Sequence, residues 1–187
     1  MLIGVYVGSF NPVHIGHIKI AKHLIEKKYV DKVLIVPTGN YWDKQDLIDV
    51  KDRINMLKFF EDDNIIIDDK HNGIDYTYQL LNTLEKENKD NEYALIIGAD
   101  NIISFDKWKN YKEILKRKIF ILNRNDININ YYLKKLSKKD KYKIVDDLDI
   151  MDISSTRVRK NIKDNIDVLK DIDKDVYSYI IKHNLYK

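Results

Sequence analysis

Cysteine is absent from the 187-residue chain, while proline and glycine are scarce at two and six residues. The lack of cysteine excludes disulfides, a thiolate nucleophile and any cysteine-based zinc site, and it is compatible with a reducing compartment. With so few glycines and prolines, each one marks a place where the backbone has a special task. Long hydrophobic runs are missing too. No stretch approaches the ~18 apolar residues of a membrane helix, and the first residues enter a strand pattern without the layout of a secretory leader. The expectation is a cytoplasmic protein with no membrane partner. A dominant charge is also lacking: 33 basic residues stand against 30 acidic ones, a net charge of +3. The two signs are interspersed, which argues against nucleic acid as a partner.

What is present describes a folded globular chain. Hydrophobic residues make up 44% and charged residues 34%, enough for one domain over 1–187 with a proper core. Short runs that are apolar throughout alternate with helical spacing. Strands are expected at Leu2–Val7, Lys32–Val36, Asn64–Ile67, Tyr93–Gly98 and Lys118–Leu122. Helices are expected over Ile15–Lys28, Val50–Phe60, Tyr76–Lys89 and Tyr111–Lys116, with Tyr76, Leu80, Leu81 and Leu84 on one side of the third. Continuously apolar strands between helices imply a parallel sheet covered on both faces. The fold class is therefore α/β, a doubly wound, Rossmann-like parallel sheet. From Asn123 the texture becomes polar: Asp126–Lys143 reads as a surface helix and turn, and Ile144–Ile153 as a weak strand region. Helices starting at Ser154–Thr156 and covering Val176–His183 form a small carboxy-terminal helical part.

Four stretches carry chemistry. Gly8-Ser9-Phe10-Asn11-Pro12-Val13-His14-Ile15-Gly16-His17 joins the first strand to the first helix. Such a turn gathers free backbone N–H groups at the positive end of a helix dipole, which suits phosphate. Gly8 admits close backbone approach, the Ser9 hydroxyl is a donor, and Pro12 stiffens the helix entry. The ring N–H groups of His14 and His17, three residues apart, aim at one spot. The plainer alternative has one histidine capping the helix and the other packed inside. Ile153-Ser154-Ser155-Thr156-Arg157-Val158-Arg159-Lys160 is the second stretch. Ser and Thr are ordinary N-caps, yet a helix start rich in hydroxyls also binds anions, with Arg159 as a planar cation and Arg157 or Lys160 as alternatives. In Gly98-Ala99-Asp100-Asn101, Asp100 suits a ribose hydroxyl or a metal environment, and Trp108 beyond it suits stacking on a heteroaromatic ring. The fourth, Asp75-Tyr76-Thr77, is also compatible with a simple helix start.

Together the first two stretches resemble the nucleotidyltransferase superfamily with HxGH and ISSTxxR signatures. Asp75-Tyr76-Thr77, Ile96-Ile97-Gly98-Ala99-Asp100-Asn101, Phe105-x-x-Trp108-x-x-Tyr111 and the closing His183-Asn184-Leu185-Tyr186 are similar to nicotinate (nicotinamide) mononucleotide adenylyltransferases. The resemblance implies transfer of the adenylyl group of ATP to nicotinate mononucleotide, with Mg²⁺ on the phosphates and a homo-oligomer as an option. It implies catalytic roles for His14, His17 and Arg159. It assigns Gly8, Ser9, Phe10, Gly16, Lys44, Ser155 and Thr156 to ATP and its phosphates. Thr77, Asp100 and Trp108 fall to the mononucleotide. After the second strand, Pro37-Thr38-Gly39-Asn40-Tyr41-Trp42-Asp43-Lys44 replaces the Pro-Pro-His-Lys of many bacterial members. It is similar to the loop of nicotinamide-mononucleotide enzymes, which leaves the amide as an alternative acceptor. Adenylyl- or cytidylyltransferases of the phosphopantetheine type are a further alternative. His14-Ile15-Gly16-His17 also matches class I aminoacyl-tRNA synthetases, but the chain is short for one and lacks a Lys-Met-Ser-Lys-Ser loop.

Overall fold

The computed structural model describes residues 1–39, 46–123, 127–148 and 153–187. Six strands form one parallel sheet: β1 (Leu2–Gly8), β2 (Lys32–Pro37), β3 (Ile65–Ile67), β4 (Glu92–Gly98), β5 (Ile119–Leu122) and β6 (Tyr142–Val145). The strand order is β3-β2-β1-β4-β5-β6. Each neighbouring pair is parallel. The chain winds outward from β1 in one direction and, after crossing to β4, in the other. Between β1 and β4 the winding reverses, and the carboxyl ends of the strands open a crevice there.

Side chains along a strand alternate between faces, so each buried strand supplies two cores. Tyr6, Val33, Ile35, Ala94, Ile96, Phe120 and Leu122 belong to one core. Ile3, Val5, Leu95, Ile97, Ile119 and Ile121 belong to the other. Helices α1 (Ile15–Glu26) and α2 (Val50–Leu57) cover the first face, bringing Ile18, Ala21, Leu24, Ile54 and Leu57. Helices α3 (Thr77–Glu87), α4 (Ala99–Ile102), α5 (Tyr111–Ile114) and α6 (Ile129–Leu133) cover the second through Leu80, Leu81, Leu84, Ile102, Ile114 and Ile129. The carboxy-terminal helices α7 (Ser155–Lys163) and α8 (Lys174–Lys182) add Val158, Ile162, Val176 and Ile180 to the first core. They are part of the main packing and not an appendage.

Three expectations need correction. The last strand is Tyr142–Val145, earlier than Ile144–Ile153; residues 149–152 lie outside the described residues. Tyr76 is 46% exposed instead of facing the core, because α3 begins one residue later and Tyr76 is its N-cap. The polar stretch after Asn123, expected as a surface helix and turn, contains a five-residue helix and a 3₁₀ turn and also the start of β6.

Candidate active site

The Gly8–His17 turn leaves the carboxyl end of β1 at the switch point. Phe10 adopts φ 46° and the Asn11–Pro12 peptide is cis. The Phe10 ring is 3% exposed, edge-on to Tyr6 at 5.4 Å and to His17 at 4.9 Å between centroids. A Cβ at Gly8 would sit 3.1 Å from that ring, so glycine at position 8 makes room for the aromatic platform under His17. His14 is the N-cap of α1. Its backbone N–H donates to His17 Nδ1 at 3.2 Å. Because Nδ1 accepts, the neutral His17 ring carries its proton on Nε2. The imidazoles stack at 3.6 Å and 25°. A Cβ at Gly16 would come within 3.0 Å of His14 Nδ1, so this glycine keeps the stacked pair in place. Sequence reasoning aimed both rings at one point; in the structure His14 lies buried behind His17, and His17 is the one on the cleft wall.

That cleft has a volume of about 450 Å³ and lies above the carboxyl ends of β1 and β4. Gly8, Ser9, Phe10 and His17 line it from the turn, Ser155 from α7, and Thr77, Asp100 and Trp108 from the other core's helices and turns. Thr38 also lines it; its Oγ1 is buried with no hydrogen-bond partner among the described residues. A smaller recess of 280 Å³ shares Thr77 and Trp108 and extends past Asp75, Tyr76 and Lys109. On the other side, a 380 Å³ cleft shares Ser9 and Ser155 and adds Asn11, Thr156 and Arg159. The three spaces adjoin one another through these shared residues and make up a trough with an aromatic end and a cationic end.

The amino terminus of α7 is fastened to the turn. Ser154 caps the helix, its Oγ accepting the Arg157 N–H. Ser155 Oγ donates to the Pro12 carbonyl at 2.8 Å. Arg159 Nη1 donates to the Asn11 carbonyl at 2.8 Å, and Nη2 reaches Thr156 Oγ1 at 3.5 Å. Of the described cations considered, Arg159 is the one on the trough side and against the turn. Arg157 approaches Asp171 at 3.9 Å, and Lys160 pairs with Asp164 at 3.1 Å. Lys44 lies outside the described residues.

Two supports escaped sequence reasoning. Arg53 on α2 is fully buried, its guanidinium donating to the carbonyls of Ser9 (2.8 Å), Gly39 (3.3 Å) and Ile48 (3.1 Å). Three carbonyls compensate the desolvated cation and bind the turn to the chain around it. Its signal was a charged residue beside Ile54, Met56 and Leu57. Tyr186, past α8, donates its hydroxyl to Asn11 Oδ1 at 2.8 Å. Burial pushes its pKa well above the usual tyrosine range, against the pull of Arg159 and Arg53. Nothing local in the sequence announces the Tyr186 contact.

Residues 5–161 match the cytidylyltransferase-like family. A nicotinate-nucleotide adenylyltransferase of Acholeplasma laidlawii is 36% identical, covering 100% of this chain and 98% of that protein. One of Clostridium perfringens is 34% identical, over 99% and 98%. Among solved structures, the nicotinic acid mononucleotide adenylyltransferase of Plasmodium falciparum complexed with NaAD superposes with a TM-score of 0.83 at 24% identity, over 99% and 97% of the two chains. That likeness carries the fold. The full-length sequence relationships carry the membership: the chain belongs to the nicotinate-nucleotide adenylyltransferases, within the cytidylyltransferase-like family.

Proposed function

We propose that the protein transfers the adenylyl group of ATP to nicotinate mononucleotide, giving deamido-NAD and pyrophosphate. The observation that carries this reading is the set of adjoining clefts in which phosphate donors, Ser9, His17, Thr156 and Arg159, neighbour a recess walled by Trp108 and Thr77. A 5′-phosphate oxygen of the mononucleotide attacks the α-phosphorus of ATP; that P–O bond forms as the bond to the β-phosphate oxygen breaks, and pyrophosphate leaves. Such a step needs no protein nucleophile, only alignment and neutralisation of developing charge. His17 Nε2–H donates to the phosphate at the reacting centre, with His14 and Phe10 fixing its ring. Arg159, Thr156 and the first turn of α7 hold the β- and γ-phosphates. Trp108 stacks on the pyridine ring, Thr77 supplies a polar edge, and Asp100 takes ribose hydroxyls.

Among the described residues no group of three or more His, Cys, Asp or Glu is arranged to hold a metal ion. Mg²⁺ is expected here as a companion of the triphosphate, with Asp100 the acidic side chain in the cleft; bound there it would supply charge neutralisation of phosphate oxygens. The test is product chromatography after incubation with ATP, Mg²⁺ and one acceptor: nicotinate mononucleotide, nicotinamide mononucleotide or phosphopantetheine. Deamido-NAD is the expected main product. A product from phosphopantetheine and none from either pyridine nucleotide overturns the reading.

A further inference from the structure

We propose that Tyr186 is a positioning residue for the triphosphate end of the reaction: its hydroxyl fixes Asn11, and Asn11 fixes the Arg159 guanidinium. The inference rests on the adenylyltransferase reading given above and adds to it a role for Tyr186, the last residue of the closing His183-Asn184-Leu185-Tyr186 stretch. Three short hydrogen bonds compose the chain. Tyr186 Oη donates to Asn11 Oδ1 at 2.8 Å, Asn11 Nδ2 donates to the Asp46 carbonyl at 2.7 Å, and Arg159 Nη1 donates to the Asn11 carbonyl at 2.8 Å. Both halves of the Asn11 amide are thus spent on neighbours, one from the segment after α8 and one from the segment before α2. With both ends of its side-chain amide engaged, Asn11 is tethered in the turn, and its backbone carbonyl is held where it accepts from Arg159 Nη1.

The consequence is preorganisation. A guanidinium has five N–H donors, and the contacts to Asn11 and Thr156 engage two of its nitrogens. An arginine on a long flexible stem must otherwise be ordered at the moment phosphate arrives, which weakens binding. Tyr186 lines the cleft on the outer side of Arg159, beside Thr156, Lys160 and Asp46, so it braces the guanidinium from behind without standing where adenine or pyridine would. Because burial keeps the phenol protonated, it stays a donor across the working pH range.

The test measures ATP affinity by calorimetry with Mg²⁺ and the KM of each substrate. Tyr186→Phe keeps the ring and loses only the donor, and is expected to weaken ATP about threefold to tenfold, the worth of one neutral hydrogen bond. The mononucleotide KM stays within about twofold. In an Arg159→Ala background the same change has almost no further effect on ATP, since coupled residues are non-additive. Tyr179→Phe is the control: its hydroxyl contacts Asp52 at 2.8 Å and Asn55 at 2.9 Å between the neighbouring helices, and its loss leaves ATP affinity unchanged. Equal weakening of both substrates, full additivity with Arg159→Ala, or a Tyr179→Phe result that copies Tyr186→Phe each overturn the proposal. Wild-type protein that binds ATP while Tyr186→Phe binds it equally well overturns this inference alone. Wild-type protein that binds no ATP overturns both it and the adenylyltransferase reading.

Discussion

At the scale of single residues, the site depends on where two glycines leave room and where one indole stands. Gly16→Ala adds a Cβ 3.0 Å from the His14 ring in the first turn of α1. Alanine favours a helix by up to about 1 kcal/mol over glycine, so the urea midpoint should hold or rise. The displaced imidazole pair should nonetheless lower kcat by about tenfold, because preorganised donors lose effect when misplaced. A variant with a lowered midpoint and intact kcat would contradict this account of the glycine. Trp108, shared by the main cleft and the smaller recess, is argued to stack on the acceptor. Trp108→Ala should raise the mononucleotide KM about tenfold, the scale of a base–aromatic stack, and leave the ATP KM alone. A change confined to the ATP KM would place the indole on adenine instead.

At the scale of elements, two joints tie distant parts of the chain together. The Ser155 hydroxyl donates to the Pro12 carbonyl across the gap between α7 and the β1–α1 turn. Ser155→Ala leaves that part-buried carbonyl without its partner and should cost about 1 kcal/mol, read as a lower urea midpoint at unchanged slope. An unshifted midpoint would mean the joint carries no load. The second joint lies on the other side of the sheet, where His71 bonds Asp68 at 2.7 Å and Glu87 of α3 at 3.1 Å. Burial disfavours the charged ring, but the hydrogen bonds to Asp68 and Glu87 prevail and raise its pKa above 6.5. A raised folded-state pKa stabilises the protein below the unfolded value and loses that contribution as pH climbs through the folded one. The stability gap between wild type and His71→Gln should therefore be wider at about pH 6 than at about pH 9. A gap that widens with pH would contradict the assignment.

At the scale of the whole molecule, what the sequence made legible follows from what its patterns encode. Five of the six strands were readable because a parallel strand buried on both faces must be apolar throughout. The sixth, Tyr142–Val145, is half exposed and, among the described residues, pairs only with β5, so its own signal is faint and the expectation fell late, at Ile144 to Ile153. The four-residue α4 is too short to show a helical period. In the site, the Gly8–His17 turn and the Ser154–Arg159 helix start were legible because phosphate chemistry constrains residue types over a few positions. His14's place behind His17, the Thr38 hydroxyl, Arg53 and Tyr186 were not, since each is defined by partners far away in the chain.

The account's central claim is that the turn, the α7 amino terminus and the Trp108 recess form one reaction site for ATP and a pyridine mononucleotide. It is tested most directly by the initial rate of pyrophosphate release from ATP and Mg²⁺, with and without nicotinate mononucleotide, for wild type and His17→Ala. The prediction is release that requires the acceptor, matches dinucleotide formed one for one, and falls at least ~10²-fold in His17→Ala, in line with losing a preorganised donor to a charged transition state. Release independent of the acceptor, or a folded His17→Ala protein turning over near the wild-type rate, would contradict it.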